Sequence, residues 1–222
     1  MRGALGADRH LADGGLRAGL VDMPGFRAVL FDFDGTLTKP EALDFARLRS
    51  LLRCPEGQPI LEFIEALPTA EERREKHRIL DDFEMEAARL SVPNEGAEEV
   101  VGLLKAEGIR LGIVSRNSRA SVLEAMKRFR ALGPDDFNVI VSRESPGRPK
   151  PHPDPVHYAA GLLGLEPREI LVVGDFVFDI MAAKAAGSGA AYLTNGRPPR
   201  EMETPPDFTI TSLLDLRPIL GV

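Results

Sequence analysis

Residues 27–38 read Arg-Ala-Val-Leu-Phe-Asp-Phe-Asp-Gly-Thr-Leu-Thr. A short apolar run closes on Asp32, and a second acid, Asp34, follows two places on, just ahead of Gly35. Such a run, bounded by turn residues, is the pattern of a buried strand. Residues i and i+2 of extended backbone share a face, so the two carboxylates would lie together at the strand's carboxyl end. Gly35 then allows a sharp turn. Asp, Gly and Thr also favour ordinary turns, so this segment taken alone has a second reading as a polar strand-to-loop cap.

Working outward, the same pattern of short, β-branched runs recurs at Ile109–Val114, Asn138–Val141 and Ile170–Val173, with weaker examples at Ala190–Leu193 and Phe208–Ile210. Between them lie helical periodicities at Ala97–Ala106, Ser118–Phe129, Pro155–Leu163 and Phe178–Ala186. Near-continuous apolar strands alternating with helices predict an α/β fold: a Rossmann-like, doubly wound parallel sheet covered on both faces. Ligands bind such sheets beyond the carboxyl ends of the strands. Residues 41–90 break the alternation and read as helices over Glu41–Leu52, Ile60–Leu67 and Ala70–Leu90, punctuated by Pro55, Gly57, Pro59 and Pro68. The expected organisation is therefore a loosely ordered extension over residues 1–25, a core formed by 26–40 and 94–222, and a small helical cap over 41–93.

Composition narrows the class. The 222 residues are 43% hydrophobic and 28% charged, enough for a real core. The net charge of −6 argues against a nucleic-acid surface, which needs a basic stripe. The single Cys54 excludes an internal disulfide framework and fits a reducing, cytoplasmic location. No apolar run approaches the roughly 20 residues that span a bilayer, and residues 1–25 carry charges throughout, unlike a signal peptide.

Three further segments fall at expected strand ends. Ser115, with Arg116, Asn117 and Ser118, follows the second strand; a hydroxyl and free amides at a helix start can hold an anion, though Asn117 or Ser118 also reads as a simple N-cap. Lys150 lies in a loop with prolines at 149, 151, 153 and 155, which leave it little freedom to lose; its plain alternative is a solvated connector. Gly174-Asp175-Phe176-Val177-Phe178-Asp179 follows the fourth strand. Asp179 suits a helix N-terminus, whereas Asp175, beside buried apolar residues, needs a partner such as a cation.

Taken together and in this order, these segments resemble the four motifs of the haloacid dehalogenase-like superfamily of aspartate-nucleophile phosphohydrolases, over roughly residues 26–196. Asp32–Thr38 is similar to the first motif, Ser115 to the second, Lys150 to the third and Gly174–Asp179 to the fourth. The resemblance implies a phosphatase of the phosphoglycolate-phosphatase-like kind, acting on a small soluble phosphomonoester. It implies Asp32 as nucleophile, Asp34 as general acid and base, and Thr36 as a brace for that turn or its carboxylate. Ser115, Arg116, Asn117 and Lys150, with Thr36, would contact phosphate or substrate. Mg²⁺ would be held by Asp32, the Asp34 carbonyl, Asp175 and, directly or indirectly, Asp179. The superfamily's dehalogenases lack the second acid, so Asp34 favours phosphate chemistry. Its sugar-phosphate mutases carry a histidine just after the first motif, and residues 37–50 contain none; a mutase or a non-catalytic phosphate-binding regulator is the alternative. Two places depart from the pattern: Phe176 stands where relatives often have a small polar residue, and Arg116 where they often have Asn. Arg116 is expected either to reach a second anionic group or to lie on the surface. In the helical insert, Glu71–Arg78 reads as a solvated face and Cys54 as a packed residue, while the turn at 54–59 is the better candidate to face the site. A monomer or homodimer is expected.

Overall fold

The computed structural model describes residues 25–40 and 44–222; the expected extension therefore falls almost wholly outside the described residues. Six strands form one all-parallel sheet: β1 (Ala28–Phe31), β2 (Arg110–Val114), β3 (Val139–Val141), β4 (Ile170–Gly174), β5 (Gly189–Leu193) and β6 (Phe208–Ile210), in the order β3-β2-β1-β4-β5-β6. The order reverses direction between β1 and β4, which makes the carboxyl ends of these two strands the natural crevice.

The pleat of β1 explains why both sheet faces are covered. Val29 and Phe31 point into one core with α4 (Ala97–Ala106), α5 (Arg119–Met126) and α8 (Leu216–Leu220). Ala28 and Leu30 point into the other, with α6 (Asp154–Leu163) and α7 (Val177–Ala186). All four residues are fully buried, as alternation in a doubly covered strand requires.

Between β1 and β2 the chain forms α1 (Phe45–Leu52), α2 (Ile60–Glu65) and α3 (Ala70–Leu90). These helices enclose a small core of their own, with Leu48, Leu52, Cys54, Leu61, Ile64, Leu80 and Phe83 buried together. The chain enters and leaves this unit side by side: Thr38 and Pro93 form an antiparallel bridge, and the Lys39 amide donates to the Val92 carbonyl at 2.8 Å. Local chemistry sets the helix ends. Thr69 and Glu72 cap each other at the start of α3, with amide bonds of 3.1 and 3.2 Å. Asp44 caps α1 by accepting from the Arg47 amide at 3.0 Å, so this helix starts at Phe45; the expected start at Glu41 lies outside the described residues. α2 ends at Glu65, short of the expected Leu67, and α5 at Met126, short of Phe129. The C-terminal helix α8 has no counterpart in the sequence expectation.

One contact of the core leaves no latitude. A Cβ at Gly112 in β2 would stand 2.5 Å from Leu30 Cδ2 and 2.6 Å from Val139 Cγ2. Overpacking of this kind costs about 1–3 kcal/mol. Gly112→Ala is therefore expected to lower the unfolding free energy by that amount, read as a lower midpoint of chemical denaturation with an unchanged slope; a neutral result would show that the sheet shifts to make room.

Candidate active site

Register brings the first acids together. Phe31 pairs with Ile113 of β2 and Val173 of β4. The next residues along, Asp32, Val114 and Gly174, therefore end the three central strands level with one another, and Ser115 and Asp175 follow one step beyond. The Asp32 amide donates to the Val173 carbonyl at 2.8 Å, and the Ser115 amide to the Val141 carbonyl at 2.9 Å, so both residues start from fixed backbone.

Lys150 enters from the proline-rich loop and is 3% exposed. Its Nζ donates three hydrogen bonds, each 2.6 Å, to Asp32 Oδ1, Asp179 Oδ1 and the Val114 carbonyl. An ammonium has three donors and no more, so every one is used. Burial alone would depress this amine, but the charges of Asp179 and Asp32 outweigh it and hold the ammonium above its usual range. Asp179 is fixed on its other oxygen as well, where Oδ2 accepts from the Phe176 amide at 3.1 Å at the start of α7. Both expected roles of Asp179, helix start and site acid, are filled by one side chain.

Asp34 lies on the turn after β1, where Gly35 adopts φ +79°. That conformation favours glycine, and space demands glycine too: a Cβ there would lie 2.2 Å from Asp175 Oδ2. The Asp34 carboxylate accepts from the Asn117 Nδ2 amide, while the Asn117 backbone amide donates to Ser115 Oγ at 3.1 Å. Asn117 thus holds the acid where it was expected to hold substrate. Burial, followed by the charge of Asp32, pushes the Asp34 carboxyl up to about 7. Burial, with the charges of Asp32 and Asp179, pushes Asp175 up to about 8. Asp179 is also raised, by burial and by Asp32, against the opposing pull of Lys150.

Thr36 does not behave as expected. It is completely buried, its hydroxyl has no partner, and it does not line the cavity. Its carbonyl is the useful group, accepting from Asn94 Nδ2 at 2.9 Å; the same Nδ2 reaches Asn195 Oδ1 at 2.9 Å, and Asn195 Nδ2 donates to the Gly35 carbonyl at 2.8 Å. This asparagine pair braces the turn of Asp34 and escaped the sequence reading. A signal existed for Asn195, which lies two residues beyond the end of β5 just as the other polar groups follow their strands.

Arg116 lines the cavity and is committed to partners within the protein. It forms a two-pronged ion pair with Glu62 of α2, at 3.0 and 2.7 Å, donates to the Lys150 carbonyl, and lies 5.2 Å over the Phe178 ring. A second clasp joins the inserted helices to the core: Glu84 on α3 pairs with Arg143 at 2.6 Å and accepts from the Ser118 amide at 3.0 Å, and Arg143 also bonds Asp81. Glu84 is 4% exposed, and burial raises its carboxyl despite Arg143. The sequence reading passed over Glu84, which looks like any other charge on a long polar helix. Glu71–Arg78 is largely exposed as expected, and Gly57 and Pro59 of the 54–59 turn do line the cavity while Cys54 packs inside.

The cavity between the strand ends and the inserted helices measures about 660 Å³ and contains Asp32, Asp34, Ser115, Lys150, Asp175 and Asp179 on its floor. One oxygen each from Asp32, Asp175 and Asp179 lies within 4.8 Å of the others. Four carboxylates, with Asp34, face a single ammonium, and all the donors are oxygen. This set suits a hard divalent cation such as Mg²⁺.

The haloacid dehalogenase-like hydrolase family matches residues 26–187. The chain belongs to that family. The hydrolase is 35% identical over 179 residues to an uncharacterized hydrolase of Saccharomyces cerevisiae, covering 80% of this chain and 81% of that one. It is 33% identical over 193 residues to a phosphoglycolate phosphatase of Escherichia coli O157:H7, covering 82% and 72%. Among solved structures, one from Haemophilus somnus, described as a predicted phosphoglycolate phosphatase, superposes with a TM-score of 0.68 at 25% identity, over 89% of this chain and 99% of that one. The hydrolase is thus of the phosphatase kind, and among its described residues no helix is long and apolar enough to cross a membrane.

Removing one partner of a buried ion pair leaves a bare charge, which costs about 3–5 kcal/mol, whereas removing both together can be nearly neutral. Arg143→Met is expected to destabilise the hydrolase by about that much. Combining it with Glu84→Gln should recover most of the loss in thermal unfolding. Equal loss in single and double variants would show that the clasp is not a coupled pair.

Proposed function

We propose that this hydrolase is a Mg²⁺-dependent phosphatase that cleaves small phosphomonoesters through an aspartyl-phosphate on Asp32. The observation that carries the reading is the convergence of Asp32, Asp34, Ser115, Lys150, Asp175 and Asp179, from separate strand ends, on one cavity.

The physical problem is repulsion. A carboxylate nearing a phosphate dianion meets about 4 kcal/mol per unit charge pair at about 4 Å and an effective dielectric of about 20. Lys150, already bonded to Asp32, offsets part of this. Asp32, Asp175, Asp179 and the Asp34 carbonyl would hold Mg²⁺, which when bound supplies charge neutralisation at the transferring oxygens. Ser115 Oγ, whose lone pair accepts from the Asn117 amide, keeps its O–H free to donate to a phosphoryl oxygen.

Asp32 Oδ forms the bond to phosphorus as the bond to the leaving oxygen breaks. Asp34 delivers its proton to that oxygen, and Asn117 keeps the carboxyl aimed there. Water then attacks phosphorus, its proton returns to Asp34, and the Asp32–phosphorus bond breaks to release phosphate. Dividing the displacement into two steps is the gain of covalent catalysis. Any phosphoglycolate activity would follow the relatives that bear that name.

Asp32→Asn is expected to abolish phosphate release, by at least about a thousandfold, while circular dichroism and melting remain native-like; turnover at the wild-type rate would refute the mechanism. Metal fit has a readout apart from activity. Asp175 rises from 3.8 to about 8 on folding, so the metal-free folded state holds a proton that the unfolded chain has lost. Stability should therefore fall as pH rises from about 4 to about 8, most steeply between about pH 5 and 7. Mg²⁺ should raise the melting temperature and flatten the dependence. A melting temperature indifferent to Mg²⁺ and chelator would count against the site.

A further inference from the structure

The floor of the cavity accounts for a phosphoryl group and a cation, but not for the rest of its volume. About 660 Å³ is the size of pocket that encloses a drug-sized ligand. A two-carbon acid on the phosphate would leave most of it to water. Above the floor the lining carries an apolar part, with Phe45, Leu48, Ile60 and Leu61 from the inserted helices and Phe176 and Phe178 from the core, beside charged groups that include Arg49, Glu84 and Arg116.

Two observations bear on what fills this space. Among the described residues, Phe45 and Phe176 are the phenylalanines that stay exposed, at 55% and 41%, and both line this one cavity. Phe176 is also held in place, edge-on to Phe178 at 5.0 Å between centroids, with Arg200 above its ring. Second, the cation closest in sequence to the phosphoryl-binding Ser115 is already matched, since Arg116 is paired two-pronged with Glu62. The other buried acid of the wall, Glu84, is matched by Arg143. Exposed aromatic carbon at a site, rather than an unmatched charge beside the phosphate, selects a leaving group by its apolar area. Lys39 and Arg200 at the mouth add positive charge that draws in an anionic ester of any body.

We infer that the preferred substrate is a phosphomonoester with a bulky, flat and largely apolar leaving group, seated between Phe45 and Phe176. The inference rests on the phosphatase reading above and specifies its substrate class. It departs from the two-carbon substrate in the names of the relatives.

The test compares initial rates of phosphate release by the full chain with Mg²⁺ on three probes: 1-naphthyl phosphate, phosphoglycolate and glucose 6-phosphate, the last a ring of similar bulk without the apolar face. The expected kcat/KM for naphthyl phosphate exceeds the other two by about tenfold or more. Phe45→Ser and Phe176→Ser are each expected to cut the naphthyl-to-phosphoglycolate ratio by about fivefold or more, chiefly through KM. Equal or better turnover of phosphoglycolate or glucose 6-phosphate overturns this inference and leaves the phosphatase reading standing. So does a uniform loss on all three probes in the serine variants, which would mark the phenylalanines as structural. No release from any probe, with Asp32→Asn indistinguishable from wild type, overturns both.

Discussion

Everything in the site depends on one buried ammonium. Lys150 ties the acid at the end of β1 to the acid at the start of α7 and to the last carbonyl of β2, with three bonds of 2.6 Å. Without it, Asp32 and Asp179 would be like charges in a poorly solvated cleft, and one of them would have to take up a proton. With it, the two acids are held at fixed positions, and the pressure of burial and like charge falls on Asp175 and Asp34. These are the groups whose carboxyls are driven upward to about 8 and about 7. On the phosphatase reading proposed above, a divalent cation would offset that pressure and Asp34 would carry the proton.

The sheet supplies the precision. Parallel pairing fixes β1, β2 and β4 so that their polar ends lie level, and the absence of a side chain at Gly35 lets Asp175 come close beneath the turn of Asp34. Asn94 and Asn195 then lock that turn from outside. The inserted helices add a roof held by two ion-pair clasps, Arg116 with Glu62 and Arg143 with Glu84. The first clasp also touches the Lys150 loop through the Lys150 carbonyl, so the roof and the floor share a residue.

Much of this was legible in the chain. Buried parallel strands are nearly all apolar, and the helices between them repeat every three to four residues, so strand and helix positions were found to within a few residues. The helix bounds Ala97–Ala106 and Ala70–Leu90 agree at both ends, because Gly96 and the Thr69–Glu72 pair are strong local start signals. Where the end signals were weak, as at Leu67 and Phe129, the expectation ran on past the helix. Asp32 and Asp175 stood out because each stands at the end of an apolar run, and Lys150 because prolines flank it on both sides. Thr36, a threonine beside two acids, reads as a ligand in the sequence, while its hydroxyl is buried without a partner.

The sequence by itself determined which polar residues follow the apolar runs and that a parallel sheet carries them, since apolar periodicity and polar strand ends are properties of adjacent residues. Tertiary structure alone decided the partners: that Asn117 serves Asp34, that Arg116 binds Glu62, that Glu84 is buried against Arg143, and that an asparagine 101 positions away braces Asn94. Such pairings join segments with no common local pattern, and only the packing of helices against the sheet brings their side chains within bonding distance.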